Sequence, residues 1–422
     1  MKNLALPILL LILVTSGCSF EKSFNDQFAL MTGNTGVSKA LDVFTVNKSI
    51  KYNINEEEYS IGAAFQPSVI LDSKGTIHLF FQARLNNSAD RAPKMISHVV
   101  SHDAGKTFSK VQFVNYMPMQ TYAISSFVHI TPSGKERISL LTSLSIDETV
   151  SRMKDTILIK QQLGIDVARF TRKGAALILE YFSDDFGETW ERKEHYKITD
   201  RVYKRNGKEY YLAFMNLIGQ VRKIEEGQYK GRLILGGPLR GDYLPCDDYP
   251  RFRNYHSSSS IIFSDDNGMT WDFGGVISDS TTFTTNEASA VPVNNGKQIL
   301  MVQRMNRKGE PGKMAHISNN GGMTWEPDFM TNIPSTRCLQ VLETSGNTVL
   351  CSTPASADRI NGTIYISNDT GKTWTPKLIE EGRFSYSTVN HLAGEYYICC
   401  YSRGHHGQLG IAAKIFSIAW IP

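Results

Sequence analysis

One eight-residue pattern, S-x-[DN]-x-G-x-T-[WF], occurs five times in this chain of 422 residues. The copies are Ser101–Phe108, Ser183–Trp190, Ser264–Trp271, Ser318–Trp325 and Ser367–Trp374, with starts separated by 82, 81, 54 and 49 residues. Self-similarity on this scale marks a repeated supersecondary unit. Each copy follows a short apolar or alternating run, such as Ser258–Phe263 or Gly362–Ile366, which reads as a strand. The motif itself is local turn chemistry. The Asp or Asn side chain accepts turn amide hydrogens, Gly takes a positive φ, and the aromatic ring packs beneath the hairpin. All five copies therefore read as structural, and their Asp residues are not catalytic candidates.

Such Asp boxes recur in propellers, so the expected fold is all-β, a six-bladed β-propeller with Asp-box hairpins. The last two gaps each approximate one four-stranded blade. The first two fit a blade plus insertions, or a blade lacking the motif. One insertion, roughly Asp147 to Gln162, has helix-compatible spacing, and Gly236 to His256 reads as a long rim loop. Nothing else resembles a second domain. The charge balance, 45 basic against 41 acidic residues for a net +4, argues against nucleic acid as a partner and weakly suits an anionic substrate. Cys246, Cys338, Cys351, Cys399 and Cys400 match no zinc spacing. Buried thiols are expected, for Cys399 and Cys400 above all, and neither a metal nor another cofactor is implied.

The N-terminus reads as an export signal: Lys2, an apolar run from Leu4 to Val14, then Thr15-Ser16-Gly17-Cys18. The run is too short to span a bilayer as a helix. The ending resembles a bacterial lipoprotein signal, which implies removal of residues 1–17 and lipid attachment at Cys18, with Thr15 where that pattern usually has Leu. Ordinary cleavage without lipid is the alternative. Residues 18–45 read as a tether and 46–422 as the propeller, placing the protein at a bacterial outer membrane, cell surface or periplasm.

Polar residues between the boxes should line one mouth of the ring. They include Phe65-Gln66-Pro67, Arg84 and Asp90 before the first box, Glu287 in Thr285-Asn286-Glu287-Ala288-Ser289, and Arg304 after the next strand pair. Arg359 follows Ser352-Thr353-Pro354-Ala355, and Tyr386 lies in Phe384-Ser385-Tyr386-Ser387. In this order, over roughly residues 60 to 405, the chain resembles the sialidase (neuraminidase) and trans-sialidase superfamily. The resemblance implies Asp90 as general acid/base, Tyr386 as nucleophile and Glu287 as the base that takes its proton. It further implies Arg304 and Arg359 as grips on a substrate carboxylate, and Arg84 beside Asp90, contacting a sugar hydroxyl. Arg307 competes with Arg304 for its role.

The chemistry is coherent. A phenol with a pKa of about 10 is a poor nucleophile near neutrality unless a carboxylate draws off its proton. A neutral nucleophile is also less repelled than Asp or Glu by an anomeric centre bearing a carboxylate. Each residue also has a plainer reading: Asp90 as a turn cap, Glu287 as a solvated loop residue, Tyr386 as strand filler, Arg304 in a surface salt bridge.

Two departures concern the substrate. The family places its first carboxylate-binding Arg two residues before a Pro, where this chain has Phe65; the Glu that braces that Arg is replaced by Ser402. Gln66, Arg403, His405 and His406 are the candidates to compensate. The expected activity is a retaining exo-glycosidase acting on a terminal acidic sugar of a glycan, either sialic acid or a related ulosonic acid. The alternatives are a non-catalytic glycan-binding propeller, a hydrolase of uronate-capped glycans, and a lyase using Tyr386 and a His.

Overall fold

The innermost strand of the first blade, Ile61–Leu71, is buried along almost its whole length, because each of its two faces packs against a neighbouring blade. The computed structural model describes residues 25–421 except 91, 116–117, 120, 170–175, 197–201, 206–207, 215–216, 218, 243–254, 278–284, 306–311 and 405–409. The described residues form a six-bladed β-propeller. Blade 1 runs outward through Ile61–Leu71, Ile77–Leu85, Lys94–Ser101 and Gln112–Phe113. Blade 2 comprises Thr121–Ile130, Glu136–Ser145, Ala176–Ser183 and Glu191–Glu194, and blade 3 Arg222–Lys223, Leu233–Asp242, Tyr255–Ser264 and Asp272–Phe273; blade 4 comprises Thr285–Val293, Gln298–Met305, Met314–Ser318 and Phe329–Met330. Blade 5 is Val341–Ser345, Thr348–Pro354, Ile360–Ser367 and Thr375–Arg383.

The five boxes join the third and fourth strands of blades 1 to 5, and their geometry repeats. In each, the Ser hydroxyl oxygen accepts the Gly amide at 2.8–2.9 Å. The Asp or Asn oxygen accepts the Thr amide at 2.8–2.9 Å. The five glycines have φ between 86° and 89°, a region that favours Gly. Blade 6 needs no box. Its strands Ser387–Ala393, Tyr396–Arg403 and Gly410–Ser417 are completed by Leu41–Phe44 from the other end of the chain, in register Leu41↔Ala413 and Phe44↔Ile411.

The first wide gap holds helices Ile146–Met153 and Thr156–Leu163, as the spacing predicts. The second holds an added hairpin, Val202–Arg205 with Lys208–Phe214, on blade 3. Two expectations are corrected. Residues 18–45 are not a tether throughout, since Phe28 is fully buried and Leu41–Phe44 is a blade strand; a strand of four residues has too little pattern to announce itself. The segment from Gly236 to His256 is not simply a loop, because Leu233–Asp242 and Tyr255–Ser264 pair along their full length. Cys338, Cys351, Cys399 and Cys400 are buried free thiols. Cys18 and Cys246 lie outside the described residues.

Buried polar groups lock the blades together near the axis. Ser68 of blade 1, Ser126 of blade 2 and Gln220 hydrogen-bond mutually, with Ser68–Ser126 at 2.7 Å and Ser68–Gln220 at 2.9 Å. Arg222, from a two-residue strand of blade 3, donates to the Leu342 carbonyl of blade 5 and the Val389 carbonyl of blade 6, and pairs with Glu343 at 2.7 Å. Blade 1 carries a buried file of Asp72, His78 and His98. His78 Nε2 donates to the Asp72 carboxylate at 3.1 Å, and its Nδ1 meets His98 Nε2 at 3.0 Å. Burial pushes the His98 pKa down to about 3.

Two outcomes follow from these contacts. Arg222→Met strands the Glu343 charge and should cost about 3–5 kcal/mol in urea unfolding, with Arg222→Met/Glu343→Gln losing less; equal losses would show that the charge pairing is not the cause. The unfolded chain protonates His98 near 6.5, whereas the folded ring stays neutral to about 3. Its contribution is therefore complete above pH 6.5 and falls progressively between 6.5 and 3. Urea midpoints should drop more steeply across that window in the wild type than in His98→Gln.

Candidate active site

At one mouth of the ring, three of the residues singled out by the sequence touch one another. Glu287 sits near the start of the inner strand of blade 4, and Tyr386 just before that of blade 6. The Tyr386 hydroxyl donates to Glu287 Oε1 at 2.9 Å. Arg304, at the end of the next strand of blade 4, donates from one Nη to Glu287 Oε2 at 2.7 Å and to the Tyr386 oxygen at 3.3 Å. The pair is well enclosed, with the Glu287 side chain 4% and that of Arg304 13% exposed. The Tyr386 ring packs against Ala63, Phe65, Leu339 and Val341.

Burial and the adjacent Glu287 charge raise the Tyr386 pKa above its ordinary value, against the opposing pull of Arg304 and Arg359. The phenol therefore rests protonated, with its proton already directed at a carboxylate. Burial works against the Arg304 charge, but Glu287 and Tyr386 outweigh it and hold the guanidinium firmly charged. This is the arrangement of a nucleophile beside its base, with a cation to steady the developing phenolate.

Arg84 lies on the other side of Phe65. Its guanidinium stacks over the Phe65 ring at 4.0 Å, donates to the Ser88 carbonyl at 2.7 Å and pairs with Asp90 at 2.5 Å. Burial lowers the Arg84 pKa, with Asp90 opposing the shift. The Asp90 side chain is 89% exposed on the rim. Phe65 meets Tyr386 edge-on, with ring centroids 6.4 Å apart. An aromatic wall thus stands where the resembling family has an arginine. Ser402 is fully buried beside Tyr386, its amide donating to the Tyr386 carbonyl at 3.0 Å.

Arg359 reaches the same mouth. Its guanidinium lies 5.1 Å from the Tyr386 ring centre and donates to Ser385 Oγ at 3.3 Å and to the Arg337 carbonyl at 3.2 Å. The two compensating candidates that can be placed join none of this. Gln66 sits in a bulge of blade 1 at φ 56°, and its amide oxygen is buried without a partner. Arg403 pairs with Asp42 at 2.6 Å and lies 3.8 Å from Glu380, drawn toward the outer strand of blade 6. Arg307, His405 and His406 lie outside the described residues.

One supporting group had no motif to announce it. Lys313 is completely buried behind the site and donates to the Cys338 carbonyl at 2.9 Å and to Gln340 Oε1 at 3.0 Å. Gln340 in turn donates to the Glu287 carbonyl at 3.1 Å and the Val302 carbonyl at 2.7 Å. This strut ties the backbone of Glu287 to blade 5. Burial pushes the Lys313 pKa down to about 8.

Six blades, five of them with an Asp box, and a phenol and a carboxylate paired at one mouth define a sialidase-like propeller. The chain belongs to the family described as BNR repeat-like domain, which matches residues 165–398. It is 24% identical to a sialidase of Paraclostridium sordellii over 76% of this chain and 68% of that protein. With a sialidase of Clostridium perfringens it shares 26% identity over 62% of this chain and 59% of that one. Among solved structures, Hadza microbial sialidase Hz136 superposes with a TM-score of 0.60 at 18% identity, covering 88% of this chain and 69% of that one. The fold is shared more widely. An α-L-arabinofuranosidase of Fusarium graminearum superposes with a TM-score of 0.56 at 11% identity, covering 91% of this chain and 99% of that one.

The contacts predict separable effects on stability. Tyr386→Phe removes the hydrogen bond to Glu287 and the longer one from Arg304 and should cost about 1–2 kcal/mol. Glu287→Ala leaves Arg304 buried and unpaired and should cost about 3–5 kcal/mol. Chemical denaturation distinguishes the two. In Glu287→Gln the phenol should also ionise at lower pH than in the wild type, because one cause of its raised pKa is gone. A ultraviolet difference titration against the matching Tyr386→Phe variant reads this directly.

Proposed function

We propose that the chain is a retaining exo-glycosidase of the sialidase type that hydrolyses a terminal acidic sugar, sialic acid or a related ulosonic acid, from glycans. The observation that carries the reading is the Tyr386 hydroxyl donating to Glu287 at 2.9 Å with Arg304 bound to both. The alternative of strand filler does not account for a phenol, a carboxylate and an arginine from two separate blades converging at the mouth of the ring.

In this mechanism the Tyr386 oxygen attacks the anomeric carbon while its proton passes to Glu287. Asp90 protonates the departing glycosidic oxygen, and a glycosyl-tyrosine forms. Water then attacks the same carbon, giving its proton to Asp90, while the phenolate leaves and recovers its proton from Glu287. Two displacements give net retention. In the free protein Asp90 is paired with Arg84. Binding of a sugar hydroxyl by Arg84 would compete with that pair and free the carboxyl for proton transfer. Phe65 and Ser402 favour an acidic sugar whose anionic group is held differently from that of ordinary N-acetylneuraminic acid. Export and lipid anchoring through Cys18 belong to the same proposal; the glycan would then be met outside the cytoplasm.

The test is turnover of fluorogenic glycosides of N-acetylneuraminic acid, a deaminated ulosonic acid and glucuronic acid. Tyr386→Phe should abolish turnover of whichever member is cleaved, and Asp90→Asn should reduce it by about 10²–10⁴-fold, less with the best leaving groups. A fluorinated substrate should leave a glycosyl adduct on Tyr386, visible by mass spectrometry. Turnover that survives Tyr386→Phe would sink the mechanism, and unsaturated products would make the protein a lyase.

A further inference from the structure

The arginines at the mouth are not electrostatically equivalent. Arg84 is neutralised by Asp90 at 2.5 Å and Arg304 by Glu287 at 2.7 Å. Among the described residues Arg359 meets neutral groups, the Ser385 hydroxyl, the Arg337 carbonyl and the Tyr386 ring. Arg337 is exposed and, among the described residues, has no carboxylate within salt-bridge distance. Among the described residues, the unpaired positive charge of this mouth therefore lies with Arg359 and Arg337, beside blade 5.

The backbone at Arg337 is built rather than loose. Arg337 has φ 49° and Arg359 φ 57°, a left-handed conformation that a residue with a long side chain adopts only where its surroundings hold it. Thr336 and Cys338 on either side are buried, with the Cys338 carbonyl bound by Lys313. Leu339 and Val341, just beyond, pack on Tyr386. Between these buried neighbours the Arg337 side chain is exposed. The hydrogen bond from Arg359 to its carbonyl keeps the two residues together.

We propose that Arg337 and Arg359 form the anion grip of this site, holding the carboxylate of the substrate's terminal sugar from the blade 5 side in place of an arginine at position 65. The inference rests on the glycosidase reading and adds to it a specificity-determining residue, Arg337. A carboxylate here would meet two guanidinium groups that pair with no carboxylate among the described residues, the condition under which forked hydrogen bonds contribute most. Phe65 would face the uncharged part of the sugar. The neutral wall and the displaced cations are two sides of one rearrangement.

The test is direct binding of free N-acetylneuraminic acid and of glucuronic acid, followed by calorimetry, with galactose as the neutral control. Arg337→Asn suits the backbone, because Asn tolerates a positive φ, and Lys372→Asn makes the same charge change on a distant Asp-box turn. Arg337→Asn should weaken the acidic sugar at least tenfold, added salt should weaken wild-type binding, and Lys372→Asn should bind as the wild type does. In turnover the loss should fall on KM more than on kcat. Equal binding by Arg337→Asn and wild type, or no binding of either acidic sugar by wild type, overturns the grip. The glycosidase reading is judged separately: it stands if turnover is lost in Tyr386→Phe, whatever Arg337→Asn does.

Discussion

Closure of the ring is the constraint on which the rest depends. A blade of three strands presents an open edge, and an open ring of blades would leave the inner strands free to splay. Pairing of Leu41–Phe44 with Gly410–Ser417 completes blade 6 with strand from the opposite end of the chain. Once closed, the inner strands sit at fixed angles around one axis. Residues at their leading ends, Glu287 of blade 4 and Tyr386 of blade 6, then meet although they are 99 residues apart. Arg222 strengthens the closure by bonding blades 3, 5 and 6 across the axis.

The mouth brings together Tyr386, Glu287 and Arg304 beside an aromatic wall. In the proposed mechanism these three exchange proton and charge, with the phenol neutral until its base acts. Around it, an arginine is exchanged for Phe65 and a brace for Ser402. Those changes are coupled physically. Position 402 is fully buried, so a carboxylate there would need a cation that Phe65 does not supply. Phe65 also takes a new part, since its face supports the Arg84 guanidinium and its edge meets Tyr386.

What could be read without coordinates was mainly what is local. The Asp boxes are short turns whose hydrogen bonds run between residues two to four apart, so their pattern survives in the sequence undisturbed. The helical insertion after blade 2's second strand was visible for the same reason. Arg403 was misjudged because its direction depends on Asp42, and Asp42 belongs to a strand that reads as tether until it docks on blade 6. Lys313 and Gln340 gave no sign at all. A lysine at a strand edge normally seeks water, and only the carbonyl of Cys338 and the amide of Gln340 make its burial tolerable.

The sequence by itself determined the repeated hairpins, the all-β architecture and the candidate order of Asp90, Glu287, Arg304, Arg359 and Tyr386, because turn chemistry and spacing are properties of neighbouring residues. Only the tertiary structure decided which of those side chains touch and which arginines are paired with a carboxylate. Those are properties of residues brought together from separate blades, and charge pairing between them exists only once the ring has closed.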